Sequence, residues 1–92
     1  MIYAPSRLSV APMMDWTDRH FRYFIRRLSR RIQLYSEMIT AQAVVFGDFE
    51  KLLSFDPQES PLVLQLGGSD PELLGKACKT ARSFHYDGVN LN

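Results

Sequence analysis

An α/β fold with a parallel sheet is predicted for this 92-residue chain, and three features predict it. Short aliphatic runs alternate with stretches of helical period. The connections between them are short, and β-α-β units joined that way give parallel strands with right-handed crossovers. Two of the aliphatic runs, before Met13-Met14-Asp15 and before Gly67-Gly68, end in turns that open a helix. Such folds place ligands at the carboxyl ends of their strands.

Residues 8–13 (Leu-Ser-Val-Ala-Pro-Met) read as a buried strand that Pro12 ends, because proline has no amide for the ladder. Asp15 or Thr17 is expected to cap the next helix. There Phe21, Phe24, Ile25 and Leu28 recur at i, i+3, i+4 and i+7 and form one apolar face. Residues 32–38 alternate as a second strand, and residues 40–46 form a short helix ended by Gly47. Residues 51–55 read as a short extended piece and Asp56-Pro57 as a turn. Residues 62–66 are a third strand closed by Gly67-Gly68. Two start signals overlap after it: Ser69 with Glu72 as a capping box, and Asp70 as N-cap with Pro71 in the first helical position. Leu73, Leu74, Ala77, Cys78 and Ala81 supply that helix's apolar stripe, and residues 85–88 connect it to a fourth strand at 89–92.

A 46% hydrophobic and 23% charged composition is that of a globular chain and argues against disorder. No apolar run approaches the ~20 residues that span a bilayer, and the first residues lack a signal-peptide layout. The single cysteine, Cys78, allows no internal disulfide and no zinc spacing. His20 and His85 have no partner at metal or triad spacing. The cytoplasm is the default compartment. A net charge of +1 requires any nucleic-acid site to be a local patch.

Chemistry is expected at the strand ends. In the fourth strand Asn90 and Asn92 share one face, opposite Val89 and Leu91. In a barrel the aliphatic pair would pack on helices and the amides would point inward, toward a ligand or toward neighbouring side chains. Gln65 shares a face with Val63; its amide can donate and accept at once, toward a heterocycle or within the barrel. Gly67-Gly68 is either an anion-binding turn or a tight strand-to-helix turn. Asp15 and Glu37 lie near strand ends, as substrate groups or as a cap and a buried ion pair respectively. Arg19, Arg22, Arg26, Arg27, Arg30 and Arg31 crowd the first helix. They could bind phosphate or form a solvated face; a solvated face is expected for all but Arg19, which lies nearest the functional rim. Cys78 is expected to pack in the core. No general acid, nucleophile or metal site follows from these residues alone.

Three ordered motifs carry a family resemblance. Ser9-Val10-Ala11-Pro12-Met13-Met14-Asp15-Trp16-Thr17-Asp18-Arg19-His20, Gln65-Leu66-Gly67-Gly68-Ser69-Asp70-Pro71 and Gly88-Val89-Asn90-Leu91-Asn92 resemble the tRNA-dihydrouridine synthases, and are similar to their A-type subfamily. The resemblance implies an FMN-binding (β/α)8 TIM barrel, with residues 1–92 forming its first three and a half units. A whole barrel takes ~250 residues. It implies reduction of uridine to dihydrouridine in the tRNA D-loop, at positions 20 and 20a, with NADPH as reductant. By position, Pro12, Met13 and Met14 resemble the segment lying against the flavin ring, and Gln65 the glutamine that hydrogen-bonds it. Asn92 resembles the asparagine that contacts tRNA, with Asn90 beside it. The proton-donating cysteine of the family falls beyond Asn92, so no catalytic residue is expected within this chain and the chain alone is expected to be inactive. The alternatives are a truncated product without catalytic function and an FMN barrel acting on a small metabolite. No membrane or metal partner is expected.

Overall fold

The computed structural model describes residues 8–92. Among the described residues four strands form one sheet in the order β1-β2-β3-β4, and every neighbouring pair is parallel. They are β1 (Ser9–Val10), β2 (Gln33–Thr40), β3 (Leu62–Gly67) and β4 (Gly88–Leu91). Between them run α1 (Arg19–Leu28), α2 (Ala41–Phe46), α3 (Phe49–Leu53) and α4 (Pro71–Ala81), with short 3-10 turns at Pro57–Glu59 and Arg82–Phe84. The predicted parallel β-α alternation is therefore present.

β3 is the centre of the core because its aliphatic residues are buried on both faces. Leu62, Leu64 and Leu66 are inaccessible and Val63 nearly so. Leu64 and Leu66 pack with Ala41 and Val44 of α2, Leu53 of α3, and Ala77 and Ala81 of α4. Alanines at the α4 contact let that helix lie close to the sheet. Leu73, Leu74 and Cys78 border the same cluster, as the stripe predicts. Tyr86 closes it by donating its hydroxyl to the Leu53 carbonyl at 2.7 Å. Burial pushes the Tyr86 phenol up to about 12, with nearby Arg22 opposing the shift and Glu59 adding to it.

The helix starts follow side-chain chemistry. Asp70 caps α4 by accepting from the Glu72 and Leu73 amides, with Pro71 in the first helical position. Ser69 takes no part. Thr40 caps α2 through Ala43, and Gly47 ends it. Asp48 caps α3 by accepting from the Lys51 amide, so residues 49–53 are helical rather than the extended piece expected at 51–55. The Asp56-Pro57 turn is present and carries a complete capping box with Glu59.

Three other expectations are corrected. β1 is two residues long and exposed to half-buried rather than a buried run through residue 13, because among the described residues it pairs on one side only. Asp18 caps α1, in place of Asp15 or Thr17, by accepting from the Phe21 amide at 2.8 Å. The largest difference is the orientation of α1. Phe24 is 60% and Leu28 69% exposed, while Arg22 and Arg26 are each 6% exposed. Those two arginines sit one turn apart, on one face, against the Pro57–Glu59 turn. There Arg22 meets the Glu59 carboxylate, and Arg26 Nε and Nη2 donate to the Glu59 and Pro61 carbonyls. Partners on the neighbouring segment offset the desolvation of the charges, and the helix turns accordingly. Burial lowers the Arg26 pKa, partly opposed by Asp87.

Candidate functional site

The sheet's carboxyl edge is shaped by a bulge in β2. Tyr35 registers with Val63, but Met38 rather than Glu37 registers with Gln65, so two residues of β2 oppose Leu64 alone. Ser36 fills the gap in the ladder by accepting from the Gln65 amide at 3.0 Å. The extra residue brings Met38 beside Gln65 and frees Glu37 to turn toward β1. Strand alternation alone misses this step; the only trace in the sequence is the polar Ser36-Glu37 pair inside an apolar strand.

Across the next pair, Gln65 registers with Asn90. Gln65 Nε2 donates to Asn90 Oδ1 at 2.9 Å, and Asn92 Nδ2 lies 2.9 Å from Met38 Sδ. Gln65, Asn90, Asn92 and Met38 thus meet as one polar and thioether cluster. Val89 and Leu91 are exposed, since no described element covers the outer edge of β4; the expectation that they pack on helices is corrected. The internal hydrogen bond weighed for Gln65 is present. Among the described residues it leaves the Gln65 carbonyl oxygen and one of its N–H groups without a partner.

At the end of β1 the chain makes a tight turn. Met13 accepts at its carbonyl from the Trp16 and Thr17 amides at 3.0 and 2.9 Å. Asp15 adopts the left-handed conformation with φ 67°, which a short polar side chain tolerates best among non-glycine residues. Its amide donates to Glu37 Oε2 at 2.6 Å. Glu37 therefore holds a backbone group; it is half-buried and makes no ion pair among the described residues. Met13 and Met14 emerge exposed from this turn, with Pro12 half-buried before them.

Arg19 and His20 are exposed beside the turn and, with Met14 and Met38, line an open cleft of about 580 Å³ between α1 and the α2–α3 side. That cleft does not include Gln65, Asn90 or Asn92, which stand on an open sheet face. Cys78 lies on α4 among core residues, as expected. Among the described residues no group of three or more His, Cys, Asp or Glu side chains can hold a metal ion, and no helix is long and apolar enough to cross a membrane.

Gln65 and Asn90 present amide groups of both hydrogen-bonding senses, and exposed methionines offer a soft, adaptable surface for an aromatic ring. These residues fit the edge and one face of an isoalloxazine. They do not supply its phosphate site. Gly68 has φ 147° and makes the strand-to-helix turn, but the amides opening α4 are taken by Asp70. A carboxylate thus stands where a phosphate would need to sit.

The dihydrouridine synthase family model matches residues 9–92. A Synechocystis sp. protein named tRNA-dihydrouridine(20/20a) synthase is 59% identical over 85 residues, covering 92% of this chain and 25% of the relative. Proteins of the same name from Xanthomonas campestris and Escherichia coli are 58% and 50% identical over 91 residues, covering 98% and 99% of this chain. The chain spans about a quarter of the length of these relatives. With nearly all of its residues matched by the family model, the chain belongs to the dihydrouridine synthase family.

Proposed function

We propose that this chain forms the flavin-facing wall of a tRNA-dihydrouridine synthase that modifies positions 20 and 20a in the D-loop. The observation that carries the reading is 50–59% identity to proteins named for that activity over 92–99% of the chain. The four parallel strands with intervening helices among the described residues support a partial (β/α)8 barrel; in this proposal they are its first three and a half units, with the carboxyl edge as its mouth.

FMN, reduced by NADPH, would supply hydride to the C5–C6 bond of uridine. The chain's own residues bind and orient. Pro12, Met13 and Met14 form the surface that would meet the ring face. Gln65, with an acceptor and a donor open, would hold the ring edge. Asn90 fixes the Gln65 amide and Asn92 stands next to it, toward the substrate uridine. Proton donation falls to none of these groups: an amide has no proton to give near neutrality, and Cys78 is packed against the core. The 92-residue chain on its own is therefore inactive in this proposal, and the working compartment is the cytoplasm, where tRNA is modified.

The test is a chimera in which residues 9–92 replace the matching quarter of the Synechocystis relative. Purified with FMN and given NADPH and unmodified tRNA, it should form dihydrouridine at position 20 or 20a, read by mass spectrometry of nuclease fragments. The 92-residue chain under the same conditions should form none. A folded chimera that binds no FMN, or leaves tRNA unchanged, overturns the reading.

A further inference from the structure

Three of the buried polar residues form one hydrogen-bonded chain that ends on Met13. Glu59 is fixed at both oxygens: Oε1 accepts from Arg22 Nε at 2.6 Å and Oε2 from the Asp56 amide at 2.8 Å. Arg22 Nη1 donates to the Thr17 carbonyl at 2.8 Å. Thr17 Oγ1 accepts from the Met13 amide at 3.0 Å and donates to the Met13 carbonyl at 3.1 Å. Thr17 and Glu59 are each 1% exposed.

Besides this chain, the turn is held by its own Trp16 and Thr17 amides on the Met13 carbonyl and by one further side-chain clamp. Met13 is 42%, Met14 54% and Trp16 70% exposed, so apolar packing does not fix their backbone. Asp15 is in a conformation that costs free energy unless its surroundings impose it. The second clamp on the turn, Glu37 to the Asp15 amide, is exposed to water and weakened by it. The buried chain is the stronger constraint. A buried ion pair is also a poor device for stability alone, because desolvation offsets much of its attraction.

We propose that Thr17, Arg22 and Glu59 are positioning residues that set the Met13–Met14 turn against the flavin ring. None of them touches the cofactor. Glu59 fixes the Arg22 guanidinium, Arg22 fixes the Thr17 carbonyl, and Thr17 closes on both polar backbone groups of Met13. The segment before β3 is thereby coupled to the turn after β1. The inference rests on the reading that this turn faces FMN.

The same chimera tests it, with Thr17→Val, Thr17→Ser and Glu59→Gln. FMN affinity is read by flavin fluorescence, the ring environment by visible circular dichroism, and stability by thermal unfolding of the apoprotein. Thr17→Val should weaken FMN binding about tenfold, equivalent to ~1.4 kcal/mol, and change the visible spectrum. Thr17→Ser, which keeps the hydroxyl, should restore both. Glu59→Gln should shift the spectrum in the same direction as Thr17→Val. If Glu59→Gln does not fold, the Thr17 pair decides the matter alone. Lowered apoprotein stability with unchanged affinity and spectrum in Thr17→Val overturns the inference and leaves only a structural role. An unsubstituted chimera that binds no FMN overturns the flavin reading itself, a result distinct from the first.

Discussion

Arg22 Nε lies 2.6 Å from Glu59 Oε1, with both side chains almost wholly withdrawn from water. The pair joins residues 37 positions apart, linking α1 to the segment that leads into β3. Removing one partner leaves the other charge buried and unpaired. Glu59→Ala should therefore destabilise the fold by ~3–5 kcal/mol. Replacing both, as Arg22→Met with Glu59→Leu, should cost less than the sum of the two single losses. Urea unfolding of the four proteins of this cycle gives the comparison, and additive losses would refute it.

Gln65 should matter to ligand and little to fold. It is half-buried and makes one side-chain hydrogen bond, to Asn90. In the chimera, Gln65→Leu should weaken FMN about tenfold by removing the ring-edge contacts, worth ~1.4 kcal/mol. Apoprotein unfolding should move by no more than ~1 kcal/mol. Flavin fluorescence titration beside a thermal melt separates the two quantities.

The Tyr86 phenol, raised to about 12 chiefly by burial, makes stability fall at high pH. Its folded pKa exceeds the value near 10 of an unfolded tyrosine. Between those values the native state holds the proton that the unfolded state has lost. Stability is thus fully present below about pH 10 and drains away up to about pH 12, at no more than ~1.4 kcal/mol per pH unit. Tyr86→Phe should flatten this part of the pH–stability profile while lowering the plateau, because the Leu53 carbonyl loses its partner. Denaturant midpoints measured between pH 9 and 12 for both proteins check the sign.

These residues show what the amino-acid order could and could not disclose. β3 and α4 were legible because their signals are local: an unbroken aliphatic run, then Asp70-Pro71 and an alanine-lined stripe. Alternation places Gln65 with Val63 and Asn90 with Asn92, but the meeting of Gln65 with Asn90 depends on the register between β3 and β4. The face of α1 was not legible. Periodicity favours Phe24 and Leu28, but the helix turns Arg22 and Arg26 inward because their partners lie on a segment far along the chain. The β2 bulge was hidden for a similar reason. An extra residue opposite Leu64 is a property of two strands, and no window on one strand contains it. α3 was missed because its start depends on the single cap Asp48.

Glycines in and beside the helices give a local test with opposite signs. Gly75 sits in the middle of α4, and a Cβ there would meet nothing within 4 Å. Gly75→Ala removes conformational freedom from the unfolded chain without crowding the folded one. It should stabilise by ~0.5–1 kcal/mol. At Gly47, which ends α2, an added Cβ would lie 2.5 Å from the Ala43 carbonyl oxygen. That oxygen belongs to the backbone and accepts the Gly47 amide at 2.8 Å, so it can retreat only by loosening the last turn of the helix. Gly47→Ala should destabilise by ~1–3 kcal/mol. For a domain of this size each kcal/mol moves the melting temperature by roughly 4–8 °C, so the two variants should melt on opposite sides of the parent. A Gly75→Ala protein that melts lower would show that α4 does not run unbroken through residue 75.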